Sequence, residues 1–157
     1  MGYITCRLMF DHFEQRIKSY RSYLFWGLSG AVAPDTDVLY NILLDPKQTN
    51  HHNYFTHYFS FWGPLLLFSL FLLLISKKSN QYPVFFLLFS FGGFFHLMLD
   101  MVSGYIFIPA PFLYLPFGAY LEKNHHDREY CIEASIVIWA LYLLIRDKKI
   151  RDYNPER

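Results

Sequence analysis

Seven histidine and aspartate residues interrupt or adjoin the long apolar runs of this chain, in residues 34–37, 51–57 and 96–100. Ionisable side chains are costly at membrane depth, so their presence there generally marks a functional site. Imidazole and carboxylate groups together are the donors that divalent transition metals prefer. The three stretches therefore predict a metal site.

The spacing of these residues indicates how they could converge. His96 and Asp100 are four residues apart, so on a helix their side chains share one face. Asp35 and Asp37 directly follow an apolar segment, where two carboxylates could bind one ion or bridge two. A single His-x-x-x-Asp pattern is common by chance, and a lone aspartate can be a helix cap. The prediction of a metal site therefore depends on all of these histidines and aspartates occurring together.

The apolar segments that must position these donors are typical of membrane helices. Hydrophobic residues make up 54% and aromatic residues 21% of 157 residues, more than a soluble domain of this size could bury. We predict an all-α, polytopic membrane protein forming a single integral membrane domain over residues 1–157. An N-terminal amphipathic helix within residues 1–21 would lie in the interface. The predicted transmembrane helices are residues 22–33, 59–75, 83–102 and 131–145.

Several predicted spans are shorter than the roughly 20 residues of a full crossing. Tilt, polar extensions or local thinning of the bilayer would have to compensate. Residues 104–118 are apolar but contain Pro109, Pro111 and Pro116, which prevent a regular helix. We expect a re-entrant or surface loop there.

Basic residues orient the predicted spans. Eleven of the fourteen lysines and arginines precede the first span, separate the second from the third, or follow the fourth. The exceptions are Lys47, Lys123 and Arg128. By the positive-inside rule both termini are cytoplasmic. In this topology the first and third spans end at the extracytoplasmic side, and the second and fourth spans begin there. Glu133 lies at the start of the fourth span.

Other features of the sequence restrict the function classes. A net charge of +1 gives no support for nucleic-acid binding. The predicted topology places Cys6 and Cys131 on opposite sides of the membrane, so we expect no disulfide between them. The first twenty residues contain Asp11 and Glu14 and lack a signal-peptide pattern, so the spans themselves should target the protein.

The ordered motifs Gly-Ala-Val-Ala-Pro-Asp-Thr-Asp, His-Asn-Tyr-Phe-Thr-His and His-Leu-Met-Leu-Asp, followed by a proline-rich apolar loop, resemble the YdjM-like family of predicted inner-membrane metal-dependent hydrolases. The resemblance covers about residues 22–145. It implies a set of six candidate metal ligands: Asp35, Asp37, His52, His57, His96 and Asp100. It implies more weakly a role for Glu133, near a glutamate often found at the start of the last span.

The sequence departs from the family pattern at two places. Family members usually have arginine after the first histidine of the second motif, where this chain has Asn53. If that arginine binds a substrate phosphate or carboxylate, another cation, such as Lys123 or Arg128, would have to replace it. Many members also have a histidine in the first helix, and this span has none, so the metal count or ligand set could differ. His52 is preferred over His51 as the ligand, and a solvated loop is preferred over a second metal site at residues 125–127.

These observations favour a membrane-embedded metal-dependent hydrolase. It would use one or two zinc or manganese ions on a lipid or lipid-linked phosphoester or ester at the extracytoplasmic face. Glu133 is the predicted general base, with Asp37 as the alternative. A divalent-metal transporter and a non-catalytic scaffold with a structural metal site are the competing hypotheses. A homo-oligomer is compatible with the sequence.

Overall fold

The computed structural model describes residues 1–44, 54–103, 106–110, 113–117 and 126–146. These residues are mostly helical, as the sequence predicts. The elements in chain order are α1 (Gly2–Phe13), a 3-10 turn (Glu14–Arg16), α2 (Tyr20–Val32), α3 (Thr36–Leu44), a second 3-10 turn (Phe55–His57), α4 (Phe59–Ile75), α5 (Tyr82–Ser103), β1 (Ile106–Ala110), β2 (Leu113–Phe117) and α6 (His126–Arg146).

Helix α1 packs its apolar face against α2 and α5. Cys6 and Phe10 are fully buried, and Tyr23 of α2 donates a hydrogen bond to the Cys6 carbonyl over 2.7 Å. Leu8, an apolar residue of the same helix, is 67% exposed. The amphipathic helix is therefore present, but it is docked on the helix bundle by a face centred on Cys6 and Phe10.

Glycines allow α2 and α5 to cross in close contact. A Cβ atom added to Gly92 of α5 would lie 2.7 Å from the Ala31 backbone nitrogen, and one added to Gly30 would lie 2.3 Å from the Phe89 carbonyl oxygen. Small residues at helix crossings let backbones approach in this way. This crossing lies one helical turn before His96, so it sets the distance between α2 and the histidine.

Helix α4 packs on the other side of α5. The Trp62 ring lies over Gly93, where an added Cβ would be 2.2 Å from the indole. Deeper in the bundle, Ser90 donates a hydrogen bond to Ser69 over 2.8 Å. The outer face of α4 is apolar and exposed, with Leu67 and Leu74 at 69% and 83%. Such a face is a liability in water and suits contact with lipid.

The loops at one end of the bundle are joined by polar contacts. Arg16 donates to Ser76 Oγ over 3.2 Å, and the Lys18 backbone nitrogen donates to Gln81 Oε1 over 2.9 Å. The α1–α2 and α4–α5 connections therefore lie together, as the predicted topology requires. The ends of α2 and α5 and the start of α4 lie at the opposite end.

The bounds of the helices agree closely with the predicted spans. The number of helices able to cross a membrane agrees less well. Among the described residues, Tyr82–Asp100 is the one helical stretch long and apolar enough to cross a bilayer, and Phe59–Ile75 and Ala134–Arg146 are shorter apolar helices. Four crossings therefore remain a prediction. Where the sequence predicts a re-entrant or surface loop, the structure has an antiparallel hairpin of β1 and β2, with β1 beside α4 and α5. Strand pairing satisfies backbone groups that a bare loop would leave open.

Candidate metal centre

Three segments meet at the end of the bundle opposite the Arg16–Ser76 contact. Asp35 lies in the turn between α2 and α3, where its backbone nitrogen donates to the Val32 carbonyl over 3.1 Å. His57 ends the 3-10 turn that precedes α4. His96 and Asp100 occupy successive turns near the end of α5. Residues separated by more than sixty positions are thereby brought to one site.

The donor atoms of these four residues form a small cluster. His96 Nε2 lies 3.3 Å from Asp35 Oδ1 and 3.0 Å from Asp100 Oδ2. His57 Nε2 lies 3.7 Å and 3.6 Å from the same two oxygens. Ligand atoms of Asp35, His57 and His96 all lie within 4.8 Å of one another. Asp35, His57 and His96 thus form a group that could hold a metal ion, and Asp100 Oδ2 adjoins it through both imidazole Nε2 atoms.

The separations fit a divalent metal ion. Ligand atoms at about 2.1 Å from a tetrahedral ion are about 3.4 Å from each other, and octahedral ligands are slightly closer. The contacts of 3.0 to 3.7 Å fall in this range. Asp100 Oδ2 is buried and accepts no hydrogen bond from the described residues, although it is 3.0 Å from His96 Nε2. Atoms directed at a shared ion, rather than at each other, have this geometry.

His57 is oriented from behind by Asp37. Its Nδ1 donates to Asp37 Oδ2 over 2.6 Å, and Thr56 Oγ1 donates to the same oxygen over 2.5 Å. A proton fixed on Nδ1 leaves the Nε2 lone pair directed at the cluster. Histidine ligands usually have such a carboxylate partner. The structure therefore places Asp37, a predicted ligand, behind His57 rather than at the cluster.

His96 is oriented by the backbone of α2. Its Nδ1 donates to the Ala31 carbonyl over 2.8 Å. This bond fixes the same tautomer as in His57, with Nε2 directed at the carboxylates. Carbonyl groups in the last turn of a helix are available for such contacts. With Nδ1 engaged in each ring, Nε2 is the nitrogen that is left to bind a metal ion.

Trp62 holds the segment that carries His57. Its indole nitrogen donates to the Thr56 carbonyl over 2.6 Å, and the side chain is only 2% exposed. Trp62, Thr56 and Ala31 are parts of the site that the sequence does not predict. Thr56 lies inside the second motif, which is a signal for it. The roles of Trp62 and the Ala31 carbonyl follow only from the packing of α4 and α2 on α5.

The remaining predicted site residues, or their side chains, lie outside the described part of the chain. His52 and Lys123 lie outside the described residues. Arg128 and Glu133 lie in α6, which starts at His126, but their side chains are outside what the structure describes. The assignments of His52 as ligand, Glu133 as base, and Lys123 and Arg128 as substrate-binding residues stay predictions.

The cluster is closed on one side and open on the other. The His57 side chain is fully buried, whereas those of His96, Asp100 and Asp35 are 18%, 22% and 46% exposed. Solvent therefore reaches the cluster from the side of Asp35. A bound ion would have an accessible position on that side.

The comparisons with known proteins agree with the resemblance found in the sequence. The model of the YdjM inner membrane protein family matches residues 1–149, which is nearly the whole chain. No curated protein matches the chain, and no solved structure matches it either. The matched region includes every residue of the cluster. The chain belongs to the YdjM inner membrane protein family.

Proposed function

We propose that this protein is a metal-dependent hydrolase of the inner membrane, acting on a lipid or lipid-linked phosphoester or ester at the extracytoplasmic face. The observation that carries the proposal is the convergence of two imidazole Nε2 atoms and two carboxylate oxygens from three distant segments. A divalent ion held there would lower the pKa of a bound water and polarise a phosphoryl or acyl oxygen.

The residues of the chain divide between binding and orientation. Asp35, His57, His96 and Asp100 would hold the ion. Asp37 and the Ala31 carbonyl fix the two imidazole rings, so that both Nε2 atoms are ready to bind without rearrangement. This pre-organisation is what a catalytic site needs and what a loose surface cluster lacks.

The open side of the cluster supports catalysis over a purely structural role. Structural zinc sites are closed by four protein ligands in a tetrahedron, so an ion held by all four residues needs a fifth coordination position for water or substrate to be catalytic. Asp35 is nearly half exposed, so substrate can approach past it. A closed site would be expected to bury all its ligands as deeply as His57.

The position of the cluster in the bundle supports a lipid-linked substrate. It lies at the end of α5, the helix most capable of crossing the membrane, and so at the expected depth of the headgroups. The β1 strand runs beside α4 and α5 and would flank an acyl chain. A transporter would need ligands near the middle of the spans, whereas these are gathered at one end.

Metal content and turnover together test the proposal. The detergent-purified wild type should retain one or two equivalents of zinc or manganese and hydrolyse a member of a panel of lipid phosphoesters and esters. An Asp35→Ala/His57→Ala variant should lose both properties. An Asp11→Ala/His12→Ala variant, which removes the same residue types from the exposed part of α1, should keep them.

Three results would contradict the proposal. Absence of stoichiometric metal under conditions that do not strip it would make the cluster a hydrogen-bonded polar network. Bound metal with no turnover of any panel member would favour the scaffold. Metal uptake into sealed vesicles that depends on the same residues would instead indicate a transporter.

A further inference from the structure

A cleft of about 620 Å³ lies at the end of the molecule opposite the metal centre. It is formed where the end of α1 and the following 3-10 turn meet the end of α4. Its lining combines basic, polar and apolar residues: His12, Phe13, Gln15, Arg16, Leu73, Leu74, Lys78 and Ser79. We propose that this cleft binds an anionic phospholipid of the membrane, with the phosphate between Arg16 and Lys78.

The charges of the cleft suit a phosphate group. Two of its lining residues, Arg16 and Lys78, are cationic and none is acidic. Neither residue forms an ion pair within the described part of the chain. Arg16 donates to Ser76 Oγ through one of its nitrogens, which fixes the guanidinium while leaving other donors of its fork for phosphate oxygens.

The apolar wall of the cleft indicates a lipid rather than a free phosphate. Leu73 and Leu74 lie directly beside the basic residues, and Leu74 is 83% exposed. The exposed face of α4 continues from Leu74 to Leu67, away from the charged end. An acyl chain can follow this face while its headgroup phosphate stays at the cleft. Inorganic phosphate would use the cations and leave the leucines without a partner.

The bound phospholipid would also connect two parts of the fold. Arg16 follows α1, and Lys78 follows α4, so one phosphate would bridge segments more than sixty residues apart. Near a membrane surface each lysine or arginine contributes about 1 kcal/mol of attraction to anionic lipid. A bound lipid should therefore hold α1 against the bundle, at the end where Lys18 already contacts Gln81.

Lipid titration of the full-length protein, read by native mass spectrometry in detergent, tests this inference. Wild type should bind dioleoyl phosphatidylglycerol more tightly than dioleoyl phosphatidylcholine. An Arg16→Gln/Lys78→Gln variant should lose about tenfold or more of its affinity for phosphatidylglycerol. An Arg21→Gln/Lys77→Gln variant, with the same change in charge outside the cleft lining, should retain wild-type affinity.

A second pair of variants tests the apolar wall without removing a charge. Leu74→Asn should weaken phosphatidylglycerol binding, and Leu8→Asn, at a similarly exposed position on α1 outside the cleft lining, should not. Equal losses in both charge variants would show general surface attraction and overturn the proposed site. Competition by millimolar inorganic phosphate together with an unaffected Leu74→Asn would show that the cleft binds free phosphate, which also overturns it.

Discussion

The imidazole of His57 is constrained on both sides of its ring, and this constraint assigns different roles to two aspartates of the same motif. Asp35 faces Nε2, whereas Asp37 accepts the Nδ1 proton. Removing Asp35 should remove a ligand. Removing Asp37 should leave every ligand in place but free the ring to rotate and change its tautomer.

We therefore expect Asp37→Asn to bind metal about 10- to 100-fold more weakly than wild type while retaining its stoichiometry at saturation. The measurement is competition with a chromogenic chelator at a fixed pH. Asp11→Asn, on the exposed face of α1, serves as the control and should be unchanged. Loss of an equivalent at saturating metal would instead identify Asp37 as a ligand.

Trp62 permits a test that touches no donor atom. Trp62→Phe keeps an aromatic ring over Gly93 but removes the indole N–H that holds the Thr56 carbonyl. Loss of this hydrogen bond should lower the free energy of unfolding by about 1 kcal/mol and weaken metal binding through His57. Thermal unfolding with and without metal measures both effects. If metal raises the melting temperature of Trp62→Phe as much as it raises that of wild type, Trp62 does not contribute to metal binding.

Residue types predicted a metal site, and the family resemblance predicted six ligands for it. Four of the six, Asp35, His57, His96 and Asp100, are brought together in the structure. The sequence could not predict that Asp35 and Asp37 have different roles. Both are aspartates, and they differ only in which imidazole nitrogen of His57 they face. The Ala31 carbonyl carries no side-chain signal at all.

At the scale of the elements, the glycine contact between α2 and α5 determines whether His96 reaches Ala31. A methyl group at Gly92 would lie 2.7 Å from the Ala31 nitrogen, so the helices must separate to admit it. Gly92→Ala should lower the free energy of unfolding by about 1–3 kcal/mol, as overpacking does. It should also weaken metal binding, because the His96 bond to α2 would lengthen.

Gly63 provides a matched control in α4. A Cβ atom there would have no neighbour within 4 Å. Gly63→Ala should therefore leave metal binding unchanged and raise stability slightly, by up to about 1 kcal/mol, since alanine is the better helix former. Circular dichroism melts and chelator competition on both variants test the pair. Equal behaviour of Gly92→Ala and Gly63→Ala would contradict a role for the helix crossing.

The docking of α1 on the bundle makes Cys6 unreactive. The side chain is fully buried against α2, and burial raises the pKa of the Cys6 thiol to about 12. Because thiolate is the reactive form, almost none is present near neutral pH. In a Cys131→Ser background, maleimide should label Cys6 only after denaturation. Rapid labelling of the folded protein in detergent would show that α1 is not docked.

Apolar runs in the sequence predicted the long helices better than the connections between them. The predicted second span, residues 59–75, has the same bounds as α4. The sequence did not show that the first apolar segment continues, after the turn at Pro34, as the separate helix α3. Proline content excluded a helix over residues 104–118, but strand pairing in a hairpin depends on register, which composition does not encode.

At the scale of the whole molecule, the distribution of basic residues and the position of the cluster together predict how the protein is oriented in the membrane. Eleven of the fourteen basic residues lie at the end opposite the cluster or at the termini in the predicted topology. The Arg16–Ser76 contact joins two of these regions in the structure. By the positive-inside rule we predict that this end is cytoplasmic and that the cluster faces the extracytoplasmic side.

Reporter fusions test this orientation. A green fluorescent protein fused after Arg157 should fluoresce, and alkaline phosphatase fused there should be inactive. Truncation after residue 50, between the predicted first and second spans, should reverse both results, because that loop leads to the cluster. The opposite pattern would put the cluster in the cytoplasm. The cluster could then still bind metal, since its geometry does not depend on sidedness, but an extracytoplasmic lipid-linked substrate would be excluded.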